Sequence, residues 1–177
     1  MTNSTQTQYD AFLNTPFGAV VISVLSHQLS VKLLPKLNGF DVNGKKLNSF
    51  FQADFCAENA LVKSAYSQIQ QYLQEPKTIL NLPINIGGTA FQQRVWQAIA
   101  AIPLGQTRTY SELALSIGSG PRAVANACGA NNLPLIIPCH RVVANNGLGG
   151  FMQNKPNGLQ VKKWLLAHEG VKGFSCE

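Results

Sequence analysis

Strand rhythm marks the front of the chain and helical rhythm the rear. Ala19-Val20-Val21-Ile22-Ser23-Val24-Leu25 and Leu29-Ser30-Val31-Lys32-Leu33-Leu34 are β-prone runs separated by a short polar step, which predicts a hairpin. From about 57 to 73, the apolar residues Leu61, Ala65, Ile69 and Tyr72 or Leu73 recur at helical spacing, and Pro76 ends the run. Residues 80–88 read as an extended connector closing on Gly87-Gly88.

Beyond that break the predicted elements are short helices with clear starts. Thr89-Ala90-Phe91-Gln92 is a capping box, and Phe91, Val95, Ile99 and Ile102 line one face until Pro103. Thr109-Tyr110-Ser111-Glu112 is a second capping box, opening a helix with Leu113 and Ile117 inward. Gly118-Ser119-Gly120 follows, then Pro121 at a first helical position and a further helix through Ala127. Two short helices joined by a glycine turn have the dimensions of a helix-turn-helix. The second helix is unusual in composition: Ala123, Ala125 and Ala127 are small, and Arg122 stands alone near its start. Such a surface suits close approach to a sugar-phosphate wall with one long side chain reaching in, not a row of base-edge readers.

Composition narrows the class. Of 177 residues, 45% are hydrophobic and 12% charged, which describes a globular protein and excludes a disordered one. No apolar run approaches the ~20 residues of a membrane span, and the polar, uncharged start carries no leader signal, so an intracellular, cytoplasmic protein is expected. Charge is uneven. Residues 1–80 hold 6 Lys/Arg against 5 Asp/Glu, a net +1, whereas residues 81–177 hold 8 against 3, a net +5. A basic rear half suits a polyanion partner. Cys56, Cys128, Cys139 and Cys176 are irregularly spaced, with no C-x-x-C pair and no histidine at zinc-finger spacing. That pattern favours one reactive thiol among structural ones over a disulfide framework or metal site.

The candidate chemistry lies in Leu133-Pro134-Leu135-Ile136-Ile137-Pro138-Cys139-His140-Arg141-Val142-Val143. A continuous apolar run should be buried, placing Cys139 at the inner end of a pocket. A thiolate nucleophile needs a nearby cation or a base that accepts its proton. Neighbours on regular structure point apart, so His140 needs a water or a sharp turn to serve. Glu169, at the end of a helix closing at Gly170, could orient His140 in a thiol–imidazole–carboxylate relay.

Together these residues resemble the methylated-DNA–protein-cysteine methyltransferases (O6-alkylguanine-DNA alkyltransferases). The resemblance centres on Ile137-Pro138-Cys139-His140-Arg141-Val142. It extends through residues 88–96, 109–114, Arg122-Ala123-Val124, Asn131 eight residues before the cysteine, and His168-Glu169-Gly170. It implies an α+β fold: residues 1–80 as a small ribonuclease H-like α/β support domain, and residues 81–177 as a mainly helical, winged-helix-like domain for DNA binding and alkyl transfer.

It also implies roles. Cys139 is the nucleophile toward the alkyl carbon on guanine O6, His140 the base through a water, and Glu169 its polarising partner. Asn131 braces the active-site turn, and Tyr110 donates toward guanine N3 of a flipped nucleotide. Arg122 fills the vacated stack from the minor groove. Gln92, Ser111, Ala123 and Asn145 match positions near phosphates, and Val142, Gly150, Phe151 and Met152 match the substrate pocket. The partner implied is duplex DNA containing O6-alkylguanine, bound by a monomer that uses no metal or organic cofactor and no membrane.

The chain departs from the family in a slightly longer loop at 152–158 and in Ala125, where glycine is common, which leaves alkyl-group range open. Three rivals fit less well. An alkyltransferase-like binding protein would lack Cys139, and a cysteine hydrolase would need a histidine in direct reach. A dimeric regulator would present a polar recognition helix. The cysteine cluster of a zinc-binding regulatory domain is also missing from the sequence.

Overall fold

A computed structural model of the chain describes residues 10–25, 27–36, 59–83 and 86–174. The predicted hairpin is β2 (Gly18–Leu25) paired antiparallel with β3 (Gln28–Pro35), with Val20 opposite Leu33. A strand that the sequence did not announce, β1 (Ala11–Thr15), pairs antiparallel with the other edge of β2. β1 alternates inward Ala11 and Leu13 with half-exposed Phe12 and exposed Asn14, too short a pattern to stand out. The continuous apolar run in β2 has a reason: both faces of the sheet are covered. Val20 and Ile22 join the main core, while Ala19 and Val21 cluster with Leu34 on the other face.

Helix α1 (Ala60–Gln74) buries Val62, Ala65, Ile69 and Tyr72 and packs on β1 and β2. Asn59 caps it by accepting from the backbone N–H of Leu61 and Val62. The predicted start near 57 lies outside the described residues.

The rear half holds α2 (Ala90–Ala100), α3 (Tyr110–Ser116), α4 (Pro121–Gly129) and α5 (Gly158–His168). Two-residue strands β4 (Arg108–Thr109) and β5 (Val142–Val143) pair in parallel. Both predicted capping boxes form with reciprocal bonds, and Pro121 opens α4 as expected. Trp96 donates its indole N–H to the Ala127 carbonyl at 2.9 Å, fastening α4 to α2. The architecture is therefore mixed α and β, with buried residues of the sheet, α1, α2, α4 and α5 sharing one hydrophobic cluster. Among the described residues no helix is long and apolar enough to cross a membrane.

Candidate active site

The apolar run 133–138 does not continue as a strand; it folds back on itself. The Ile137 N–H bonds to the Leu133 carbonyl at 2.8 Å, and Leu135 takes a left-handed φ of 75° at the bend. The chain then enters a single 3-10 turn, Cys139–Arg141. The turn brings no His140 nitrogen into hydrogen bond with the Cys139 sulfur; of the two routes the sequence left open, a water or a sharp turn, the turn alone does not join them. Cys139 lies at the wall of a cavity of about 580 Å³ that Tyr110, Cys128, Gly150, Phe151 and Met152 also line. A smaller hollow of about 220 Å³ continues past Cys139 and Cys128 to strand β3, the edge of the sheet.

Asn131 braces the turn. Its amide donates to the Ile137 carbonyl at 2.9 Å and to the Cys139 thiol at 3.3 Å, and its oxygen accepts from Leu133 N–H. Burial pushes the Cys139 thiol up, while the Asn131 hydrogen bond and the Lys162 charge act to lower it.

Behind the thiol, His140 is 1% exposed and shares a 2.9 Å bond between its Nε2 and Glu169 Oε1. Its Nδ1 is buried and has no hydrogen-bond partner among the described residues. With Glu169 accepting from Nε2–H, the Nδ1 lone pair is the basic one. Burial holds His140 below its usual pKa, opposed by the Glu169 carboxylate.

Three side chains converge on Glu169. Arg141 grips it with Nε at 2.8 Å on Oε2 and Nη2 at 2.8 Å on Oε1, and the Tyr72 hydroxyl donates to Oε1 at 2.7 Å. Burial pushes its carboxyl up, but the bonds from His140, Arg141 and Tyr72 outweigh that and hold it well below the usual carboxylate range. Helix α5 delivers Glu169 by ending there: Gly170 turns left-handed, its N–H bonds Ala167, and the Val171 N–H bonds Leu166.

Four residues of this site have no role assigned by the sequence pattern. Arg141 and Tyr72 hold the carboxylate, and Cys128 shares the cavity with Cys139, its thiol pushed up to about 12 by burial. Lys162 is fully buried, donating to the carbonyls of Val142 and Leu148 at 2.6 Å each and of Gly150 at 3.1 Å. Its ammonium lies 5.8 Å from the Phe151 ring centre and 6.0 Å from that of Tyr110, and burial lowers its pKa to about 8. Lys162 falls three residues before Leu165 and four before Leu166, on the apolar face of α5, and that position was the available signal.

The predicted residues divide into groups. Cys139, His140, Glu169, Asn131 and Tyr110 converge, with the Tyr110 hydroxyl donating to the Gly150 carbonyl at 3.3 Å. Gly150, Phe151 and Met152 line the cavity, whereas Val142 is fully buried and does not; its carbonyl serves Lys162. Arg122 and Ser111 are exposed at the starts of α4 and α3, with Ala123 half-buried beside Arg122. Gln92 is engaged in its capping box, and Asn145 is exposed in a tight turn between Ala144 and Gly147.

The site thus joins a buried thiol at a cavity wall to an imidazole and an ion-paired carboxylate behind it, a thiol-centred site. The family model described as the 6-O-methylguanine DNA methyltransferase DNA binding domain matches residues 90–171. A probable methylated-DNA–protein-cysteine methyltransferase of Acanthamoeba polyphaga mimivirus is 46% identical over 111 residues, 61% of this chain and 72% of that one. The constitutive methylated-DNA–protein-cysteine methyltransferase of Bacillus subtilis is 31% identical over 166 residues, 92% of this chain and 96% of that one. The crystal structure of Mycobacterium tuberculosis OGT in complex with DNA superimposes with a TM-score of 0.67 at 30% identity, covering 89% of this chain and 90% of that one. The chain belongs to the methylated-DNA–protein-cysteine methyltransferase family.

Proposed function

We propose that this protein repairs O6-alkylguanine, chiefly O6-methylguanine, in duplex DNA by moving the alkyl group once and irreversibly onto Cys139. The observation that carries the reading is the Cys139 thiol itself, facing an open cavity with the Asn131 amide on its sulfur and the His140–Glu169 pair behind it. A base stacked in a duplex cannot present O6 to that cavity, so the nucleotide is rotated out. Helices α3 and α4 act as a helix-turn-helix whose small-residue face approaches the minor groove, and Arg122 fills the gap in the stack. Ser111, Ala123, Gln92 and Asn145 lie along the phosphates, and Tyr110, Gly150, Phe151 and Met152 enclose the base and its alkyl group.

The Cys139 proton passes through a water to His140 Nδ1, and Glu169, held by Arg141, stabilises the imidazolium. The thiolate sulfur then bonds to the alkyl carbon as the carbon–O6 bond breaks. The electron pair remains on the guanine, and the Tyr110 hydroxyl donates toward N3 as that charge develops. A thioether offers no leaving group, so the thiol is not regenerated, and the displacement balances without metal or organic cofactor. In this reading residues 1–80 support the site, residues 81–177 bind DNA and react, and the protein works as a monomer inside the cell.

Intact mass after incubation with a duplex carrying one O6-methylguanine tests it. One methyl replacing one proton, mapped to Cys139 and absent in Cys139→Ala, is expected. Tight lesion binding by folded, reduced protein with no mass change would instead mark a damage-recognition protein.

A further inference from the structure

The front half of the chain reaches directly into the reactive centre. Tyr72 lies on the last turn of α1, 97 residues from Glu169, yet its hydroxyl is 2.7 Å from Oε1, the same oxygen that His140 Nε2 meets at 2.9 Å. Tyr72 is 3% exposed, and its own backbone carbonyl is held by His168 Nε2 at 2.8 Å, with the two rings edge-on at 5.4 Å. Tyr72 is therefore fixed at both ends, and its hydroxyl is committed to the carboxylate. A hydrogen bond to a carboxylate oxygen withdraws charge from it and weakens its attraction for any second donor on that oxygen.

We propose that Tyr72 is a positioning residue of the alkyl-transfer centre, setting through Glu169 how strongly His140 draws the proton from Cys139. The inference rests on the reading of Cys139 as the nucleophile. The groups around Glu169 are Tyr72 from α1 and His140 and Arg141 from the 3-10 turn; His168, its neighbour on α5, faces Tyr72 instead. Lys162 from α5 acts on His140 and on Cys139, and Asn131, Cys128 from α4 and Tyr110 from α3 complete the described surroundings of the thiol. Of these, Tyr72 and Arg141 compete with His140 for the carboxylate. Arg141 also holds the Ile102 carbonyl and has a structural duty, whereas the Tyr72 hydroxyl can be removed with its ring left in place.

The experiment is the pH profile of Cys139 reaction with iodoacetamide, read by peptide mass so that other cysteines do not interfere, in wild type and Tyr72→Phe. Loss of the donor leaves more charge on Oε1, makes His140 the stronger base and moves the midpoint to lower pH by about half a unit or more. Genetically encoded 3-fluorotyrosine at position 72, a stronger donor, moves it the opposite way. Phe17→Leu loosens the same interface through the Phe17–Trp164 ring contact without touching Glu169, and it lowers Tm with the midpoint unmoved. Midpoints unchanged in both Tyr72 variants, with only Tm altered, would overturn the proposal. Iodoacetamide needs no DNA, so absence of methyl transfer from the lesion duplex in wild type would count against the repair reading alone.

Discussion

Glu169 carries a full charge where water does not reach, and that charge has a pH signature. Its pKa is depressed in the folded state, so its stabilisation is complete above the ordinary carboxylate range and lost as pH falls below about 4.5. His140, buried with its pKa lowered, adds to the same trend: below about 6.5 the unfolded chain takes up its proton first. Tm should therefore fall in two stages between pH 7 and pH 3. Glu169→Gln should flatten the lower stage while costing about 3–5 kcal/mol at neutral pH, because Arg141 is left buried without its partner. Thermal melts across that range decide it. Asn131→Ala, which strips a donor from the sulfur, should slow methyl transfer about tenfold or more with little change in lesion affinity, measured by single-turnover kinetics. Cys139, His140 and Glu169 were legible in the sequence because the signature residues are contiguous and the carboxylate ends a recognisable helix. Tyr72, Lys162 and the Arg141 grip were not. Their partners lie 97, 20 and 28 residues away, and a buried hydrogen bond leaves no periodic trace along the chain.

Among the elements, the helices and the β2–β3 hairpin announced themselves and the short strands did not. A capping box is a four-residue statement, whereas β1, β4 and β5 are too short to establish an alternation. The loop at 152–158, noted as longer than the family's, forms a left-handed turn at the cavity mouth: Met152, Gln153 and Asn154 have φ of 51°, 55° and 58°, and Asn157 follows at 61°. Successive left-handed residues other than glycine cost roughly 1 kcal/mol each, and asparagine less. The Asn157 amide on the Lys36 carbonyl at 2.8 Å and the Gln153 amide on that of Gly129 at 3.2 Å pin the loop to β3 and α4. Gln153→Gly relieves one left-handed residue but gives up the bond to Gly129, so stability should change by less than about 1 kcal/mol, read as a nearly unmoved Tm. Lys162→Met should lower stability by about 3 kcal/mol in denaturant melts, because it orphans carbonyls of β5 and the cavity wall together.

For the whole molecule, the net +5 of residues 81–177 belongs to the half that carries α3, α4 and Cys139. Affinity for duplex DNA should fall steeply with added salt, whereas the rate with a free O6-alkylguanine base should hardly change. Arg122→Ala should weaken transfer from duplex and spare the free base, since Arg122 is exposed on α4 and lines no wall of the cavity. The two halves also meet through rings: Phe17 of the β1–β2 turn packs edge-on to Trp164, which stacks on His168 at 4.8 Å, which in turn meets Tyr72. That stack gives the protein an optical readout. Of its two tryptophans, Trp96 is locked to a backbone carbonyl of α4, whereas half-buried Trp164 packs against Phe17 from the front of the chain. Trp164 emission should shift to the red as Phe17 withdraws and water reaches the indole, reporting that contact without any added label.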